Sequence, residues 1–561
     1  MTRSKSDYLK AFLIVLSLFA TFKMLILAVG LDEEYQVVMS YRNVIGDKLF
    51  LDMWEPHQSS AFLCTFLMKP YLKFFGTTGV IIYLRVWGTL IHLAISIYLC
   101  RVLRGFVDRE HACLLALIYY NTIPKQIMLP EFGIMQVWFY TLLSLFLIQY
   151  YRTGKKVKYL VLAAVALALT ILSYPSCLIL YPFVLFCFVR LSGKDRLRDI
   201  GIFTLVCGLC AAGYLGILLL HTTPAGLIDS LSHILSGDVT HKSSLWDKTL
   251  NIFLKALYEL ALWGGCWLFA TAIAKWRKWD NRIKHCLIIL LTCAVQLFYW
   301  VVLDIGYESM HIHLIAITVA GLSIHAKSPA EKPAGAENAS LLRYGIWGAV
   351  LCLLAVVYLT DLSLTESIPH AMPAAFYAAV LLILDMEKKK NDRYSKWVWF
   401  VLIMWCLTAI FGKSYTLRAG SGYCNVLQSG GIMKKGPAAG IISNYIGAYI
   451  YNSDYEDWQN YLRDGDRVLI MADQVRNLGT IQYMFKDVTV SHFSIVNGTI
   501  YDERLLEYWE IYPEKEPNVI IVDCWYGQLM TDPNGWLMQY IEKDFGYTQV
   551  DDGKYIRIYR R

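Results

Sequence analysis

Charge is scarce in this chain. Asp, Glu, Lys and Arg make up 17% of 561 residues, where a soluble protein carries about a quarter. With 56% hydrophobic residues and a mean hydropathy of +0.42, an ordinary soluble globular protein is excluded. Apolar runs of about 17–25 residues account for the deficit. The net charge of +7 is no nucleic-acid footprint, because the Lys and Arg sit largely in short loops between apolar runs, where they set orientation. No CxxC has a partner pair or His, so a structural zinc site is not expected. Most of the 14 Cys lie inside apolar runs (Cys100, Cys113, Cys187, Cys207, Cys210, Cys293) and read as small buried hydrophobes. Cys424 and Cys524 fall in the tail and could pair if the tail is exported. The tail has no GxGxxG after its first strand, which disfavours dinucleotide binding. No internal repeat of about 20–50 residues stands out. The basic first segment (Arg3, Lys5, Lys10) lacks a small-residue cleavage site and reads as the start of an uncleaved span.

What is present is a succession of apolar runs, at 11–30, 78–100, 111–123, 132–151, 158–174, 175–190, 201–221, 250–274, 285–303, 312–325, 344–361, 372–386 and 396–412. Pro175 either kinks one helix or ends it. One set of connecting loops is rich in Lys and Arg, as in 152–158 (RTGKKVK), 190–198 (RLSGKDRLR) and 387–396 (EKKKNDRYSK). The alternate set (124–131, 222–251, 304–311, 361–370) is poor in them. The alternation keeps phase, predicting about thirteen spans with the N-terminus inside and the tail outside. The expected fold is therefore a polytopic α-helical membrane protein with a small C-terminal extracytoplasmic α/β domain. Residues 1–412 form its membrane domain, with a first outer loop at 31–77, and 413–561 form the tail domain. In that loop Val37, Val38, Tyr41 and Ile45 share one helical face, which reads as an amphipathic helix on the membrane surface. A second apolar stretch, 61–75, is broken by Pro70. In the tail, 467–471, 488–491 and 519–523 read as buried strands, 474–485, 502–512 and 533–545 as helices, and 547–559 as a hairpin turning at Asp552-Gly553.

The chemistry-bearing residues gather in the outer loops. Asp32, Glu33 and Glu34 follow the first span directly, and charge so close to a bilayer is costly unless it faces water, a partner or a site. An outward carboxylate can act as a general base beside a lipid-borne substrate or hold a cation; a solvated helix start that meets the dipole is the bland alternative. Glu131, in Met-Leu-Pro-Glu just before a span, supplies a second acid on the same side. Arg85 sits inside the apolar run near its outer end, where a guanidinium is paired, functional or snorkelling, and it suits a phosphate. Lys125, His241 and Lys242 are further outer cations. Glu55, His57 and Gln58 form a polar knot, 54–60, that could orient the acceptor or the acids. His311 and His313 are a possible metal pair without a clear third ligand.

These motifs resemble those of GT-C glycosyltransferases such as protein O-mannosyltransferases and lipid A aminoarabinose transferases. The acidic pair Asp32-Glu33 looks like their Asp-Glu motif after span one, and Pro56-His57-Gln58-Ser59-Ser60 sits where they carry His-Pro-Pro or Lys-Pro-Pro, here without the second Pro. Tyr83-Leu84-Arg85 is similar to their Arg-containing span start, and Met128-Leu-Pro-Glu131 to their second acidic motif, with Glu where Asp is common. The resemblance covers roughly residues 30–135. It implies a polyprenyl-phosphate-linked sugar donor, a glycan, lipid or protein acceptor and inversion at the anomeric carbon. It implies Asp32 as base, Glu33 and Glu131 assisting or binding a divalent cation, and Arg85 on the lipid phosphate; Lys125, an outer cation, could meet the same phosphate. The altered Pro-His-Gln element leaves the acceptor class open; Glu55, His57, Gln58 and His311 are the acceptor or site-shaping candidates read from the outer loops. The implied location is the cell membrane, with the site extracytoplasmic. The competing readings are a transporter or flippase of lipid-linked sugars, which favours paired repeats and broken midplane helices, and a non-catalytic membrane scaffold.

Overall fold

The structure is a computed structural model that describes residues 5–237, 244–303, 312–326, 336–360, 364–388, 392–420, 422–471, 479–485, 490–495 and 503–561. Its helices in chain order are α1 (Lys5–Ile26), α2 (Leu31–Ile45), α3 (Ala61–Phe75), α4 (Val80–Leu103), α5 (Arg109–Asn121), α6 (Phe132–Arg152), α7 (Val157–Ser173), α8 (Leu180–Leu191), α9 (Arg196–Leu219) and α10 (Pro224–Gly237). There follow α11 (Leu245–Trp276), α12 (Asn281–Val301), α13 (Ile312–Ala326), α14 (Ala336–Leu359), α15 (Leu364–Ser367), α16 (Met372–Glu387), α17 (Asp392–Tyr415), α18 (Tyr445–Tyr461), α19 (Glu503–Ile511) and α20 (Trp536–Tyr540). Among the described residues 9 helical segments are long and apolar enough to cross a membrane: α1, α4, α6, α9, α11, α12, α14, α16 together with the 3₁₀ turn Ile368–Ala371 that leads into it, and α17. Every run read as a span falls on helix, but α5, α7, α8 and α13 are shorter than that. Pro175 ends α7, and a 3₁₀ turn over Pro175–Ile179 precedes α8.

The core runs between α6 and α7, between α16 and its neighbours α13 and α14, and between α17 and both α1 and α5. Arg85 of α4 reaches the last turn of α1, and Lys125 of the loop before α6 reaches Asp32 at the start of α2, which brings these segments to one end of the bundle. In contrast, α9 and α11 leave nearly their whole surface exposed.

Two elements depart from expectation. α2 does not lie on a surface: from Glu33 to Arg42 every residue is buried, the polar Gln36, Ser40 and Arg42 included. The reason is polar partners on both sides. Gln36 exchanges hydrogen bonds with Ser60, and Arg42 donates to the Ser491 carbonyl at 2.8 Å and pairs with Asp47 at 2.8 Å. α3 runs through Pro70 without a break and presents Phe66, Phe74 and Phe75 outward.

Beyond α17 the chain forms β1 (Thr416–Ala419) and β2 (Gly422–Asn425), an antiparallel pair, then β3 (Gly431–Ile432) with β4 (Ile442–Ser443). A mixed sheet follows, made of β5 (Val468–Met471), β6 (Val519–Trp525), β7 (Gln528–Leu529), β8 (Gln549–Asp552) and β9 (Ile556–Arg560). β5 and β6 run parallel, and β9 lies antiparallel between β6 and β8. Of the strand expected at 488–491, positions 488 and 489 lie outside the described residues; Val490 and Ser491 lie outside any strand, and their carbonyls accept from the Trp509 indole and the Arg42 guanidinium, each at 2.8 Å. Cys424 lies in β2 and Cys524 in β6, strands of separate sheets, and no disulfide joins them.

Candidate active site

The turn from α1 into α2 is clamped before any acid appears. Ala28 donates to the Ile442 carbonyl, Gly420 to Val29, and Leu31 to Gly420, each at 2.8 Å. The tail thus fixes the backbone that presents Asp32. Arg85 reaches the same turn from α4. Its Nε and Nη2 donate to the two Glu33 oxygens at 2.6 Å each, and its remaining N–H groups go to the carbonyls of Met24, Leu25, Leu27 and Ala28. Those carbonyls belong to the end of α1, where backbone acceptors lack helical partners and a cation meets the helix dipole favourably. Arg85 is therefore saturated and buried, with no donor left for the phosphate that its sequence position suggests. Glu33 is equally engaged, since it also accepts from the Gly30 amide. The pair locks the turn.

The open chemistry lies one residue away. Asp32 keeps 24% of its side chain exposed, while Glu33 keeps 2% and Glu131 none. Lys125 Nζ sits between two acids, 3.2 Å from Asp32 Oδ2 and 3.1 Å from Glu131 Oε1, and 4.3 Å over the Phe132 ring. Arg418 Nη2, from β1, lies 3.4 Å from the same Asp32 oxygen. Arg418 also donates to the Tyr423 hydroxyl, and its Nε has no hydrogen-bond partner among the described residues. The backbone at Lys125 is left-handed, φ 54° and ψ 10°, as are Gln126 and His57. For non-glycine residues such conformations cost about 1–3 kcal/mol each and persist only where the surroundings enforce them. At Lys125 that enforcement includes α4: a side chain on Gly88 would put its Cβ 1.8 Å from the Met128 carbonyl oxygen.

The electrostatics follow from this geometry. Burial alone would push the Asp32 carboxyl up, but the Lys125 ammonium and Arg418 guanidinium overcome it and hold it at about 2. Glu131 goes the other way, raised first by burial and further by the Asp32 charge, against the pull of Lys125. Lys125 is raised, because its two acids outweigh the cost of burial. Two acids in one site are thus driven apart in strength, with the exposed one ionised.

A wall of rings faces this cluster. His57 stacks on Phe132 with centroids 4.2 Å apart, and Tyr174 sets its edge against His57 at 5.0 Å and His370 at 5.3 Å. His370 Nδ1 bonds Gln136 Oε1 at 2.7 Å, and its buried Nε2 has no hydrogen-bond partner among the described residues. The nearness of His370 to Glu131 shows at Gly133, whose would-be Cβ lies 3.1 Å from His370 Cε1 and 3.2 Å from Glu131 Oε2.

The structure thus brings Asp32, Lys125, Glu131 and His57 together. Gln58 and Glu55 serve the loop instead. Gln58 ties Phe50, Met53 and Glu55, and Glu55 accepts from the Ser494 amide and hydroxyl at 2.8 and 2.6 Å. His311, His241 and Lys242 lie outside the described residues. Sequence reading missed Arg418, Tyr174 and His370. The one signal for Arg418 was a cation six residues beyond the expected end of the last span.

A cation bridging Asp32 and Glu131 would need the place that Lys125 Nζ fills, so these acids as folded do not fit a divalent metal between them. Asp108, His111 and Glu387 could hold one, with ligand atoms within 4.8 Å of one another. They lie at the opposite end of α5 from Lys125.

No family model and no curated protein matches the sequence. Among solved structures the chain is similar to ArnT from Cupriavidus metallidurans bound to undecaprenyl phosphate, at 11% identity and a TM-score of 0.48, over 99% of this chain and 98% of that one. It is also similar to the Archaeoglobus fulgidus oligosaccharyltransferase, crystallised with Zn and sulfate, at 12% identity and a TM-score of 0.45, over 91% of this chain and 67% of that one. A structure of that archaeal enzyme, AglB, with an inhibitory peptide and a dolichol-phosphate gives 11% identity, a TM-score of 0.45, and 92% and 69% coverage.

Proposed function

We propose that this chain is a membrane glycosyltransferase of the GT-C type, which moves a sugar from a polyprenyl-phosphate-linked donor to a hydroxyl of a glycan, lipid or protein. The observation that carries the reading is one partly open carboxylate, Asp32, flanked by two cations, Lys125 and Arg418, at the mouth of an apolar bundle. Transfer from such a donor needs a base for the acceptor and positive charge for the departing phosphate, and this cluster supplies both. Asp32 takes the acceptor proton as the acceptor oxygen attacks the anomeric carbon from the face opposite the phosphate. The glycosidic bond breaks with its electrons on the phosphate oxygen, which Lys125 and Arg418 stabilise. The configuration inverts. Lys125 and Arg418 take the phosphate in place of Arg85, whose donors are spent.

Coupling between the steps follows. A phosphate that shares Lys125 and Arg418 weakens their hold on Asp32, so the carboxylate gains basicity when the donor is present. The ring wall of His57, Phe132 and Tyr174 suits the apolar face of a sugar. The Lys and Arg bias of the loops assigns the N-terminus to the cytoplasm and Asp32, with the tail domain 413–561, to the other side.

The test is D32N in purified protein supplied with a panel of polyprenyl-phosphate sugars. Transfer is expected to fall about 10²–10⁴-fold, the range a general base contributes, with thermal stability and donor binding retained. Unchanged turnover would remove Asp32 from the role of base.

A further inference from the structure

A second candidate site lies at the other end of the bundle. A cleft of about 700 Å³ opens between α1, α4, α5 and α17. Its wall is apolar, with Leu13, Leu93, Leu117 and Ile403 prominent, and Ser17 and Tyr120 stand deep within it. Its rim is basic: Lys10, Arg101 and Arg104 line it beside a single acid, Glu110. Lys10 and Glu110 pair at 2.9 Å. The guanidinium groups of Arg101 and Arg104 make no hydrogen bond or ion pair among the described residues, and both residues are exposed.

The ligand that fits is amphiphilic: long apolar chains for the cleft and an anionic head for the rim. Guanidinium pairs bind phosphate oxygens bidentately. A zwitterionic head brings its own cation to a rim already in positive excess, whereas an anionic head does not. Position excludes the sugar donor of the site at Asp32. Lys10 stands near the start of α1, and Asp32 follows its end; Arg101 and Arg104 close α4, and Arg85 opens it. A helix of 24 residues spans about 36 Å, more than the roughly 30 Å of a bilayer core, so a head at Arg104 lies in the other leaflet. We propose that this cleft holds a resident anionic phospholipid, its phosphodiester on Arg101 and Arg104 and an acyl chain along α1 and α4.

The test uses the full chain in nanodiscs of equimolar phosphatidylcholine and phosphatidylglycerol, with retained lipids counted by native mass spectrometry. The unaltered protein is expected to enrich phosphatidylglycerol about thirtyfold over phosphatidylcholine, the preference that two surface arginines confer. R101Q/R104Q should bring the ratio to about one without lowering thermal stability, since both side chains are exposed. I14W/L93W fills the apolar part from two lipid-facing positions, 49% and 40% exposed, and should lower retention of both lipids while leaving the rim intact. Equal retention of the two lipids by the unaltered protein overturns the proposal, as does R101Q/R104Q that keeps the enrichment. Undiminished phosphatidylglycerol on I14W/L93W overturns the cleft as the seat of the acyl chain. Lipid retention is read without any transfer reaction, so the outcome is independent of the glycosyltransferase reading.

Discussion

Asp32 owes its ionised state to Lys125 and Arg418 more than to water. A carboxyl held at about 2 stays charged across the physiological range, and its stabilising charge is lost only as pH falls through that value. K125M removes the largest of its lowering influences, so burial reasserts itself and the carboxyl titrates higher. The acid limb of the kcat/KM–pH profile is therefore expected to move to higher pH, alongside a fall in activity; a profile unmoved in position would show that Asp32 is not the group titrating. Arg85 invites the opposite experiment. R85M leaves the buried Glu33 carboxyl without its partner, a loss of about 3–5 kcal/mol in comparable pairs, to be read as a large drop in Tm. E33Q on top of R85M should restore part of it. A phosphate ligand would instead show weakened donor binding at near-normal Tm, which is the outcome expected for R418M. Asp32, Glu131 and Lys125 were legible in the sequence because each flanks a span on the same expected side. Arg418 and His370 were not, because only tertiary packing brings distant stretches of chain to one point.

At the level of the element, α4 matters as a platform. Gly88 lets the loop before α6 settle directly on it, which positions both Lys125 and Glu131. G88A drives a Cβ into the Met128 carbonyl, and overpacking of this kind costs about 1–3 kcal/mol. G88A is expected to lower stability by that order, read as a fall in Tm, and to depress transfer further than this, measured on the folded fraction, because it moves two site residues at once. The apolar runs were readable since hydrocarbon burial demands long uninterrupted stretches. The strands β5, β6 and β9 were readable as short β-branched blocks. α2 was misread for a physical reason: its polar face looks solvent-bound until the tail supplies Ser491 and Ser494 as partners. The stretch at 488–491 has a strand's composition, but the carbonyls of Val490 and Ser491 accept from the side chains of Trp509 and Arg42, not from a ladder.

Over the whole molecule, the tail acts as part of the site. It clamps residues 28–31, covers α2 and contributes Arg418. A chain ending at residue 412 is expected to be inactive and to become susceptible to trypsin between residues 31 and 60, as limited proteolysis would report; retained protection there would show that α2 folds without its cover. Asp32 precedes the helices α4 to α17 in the chain, and its Arg418 partner emerges only after the last of them. No nascent or interrupted chain can hold the finished centre. Completion of the centre is thereby tied to the docking of the segment beyond α17 against the turn at 28–31.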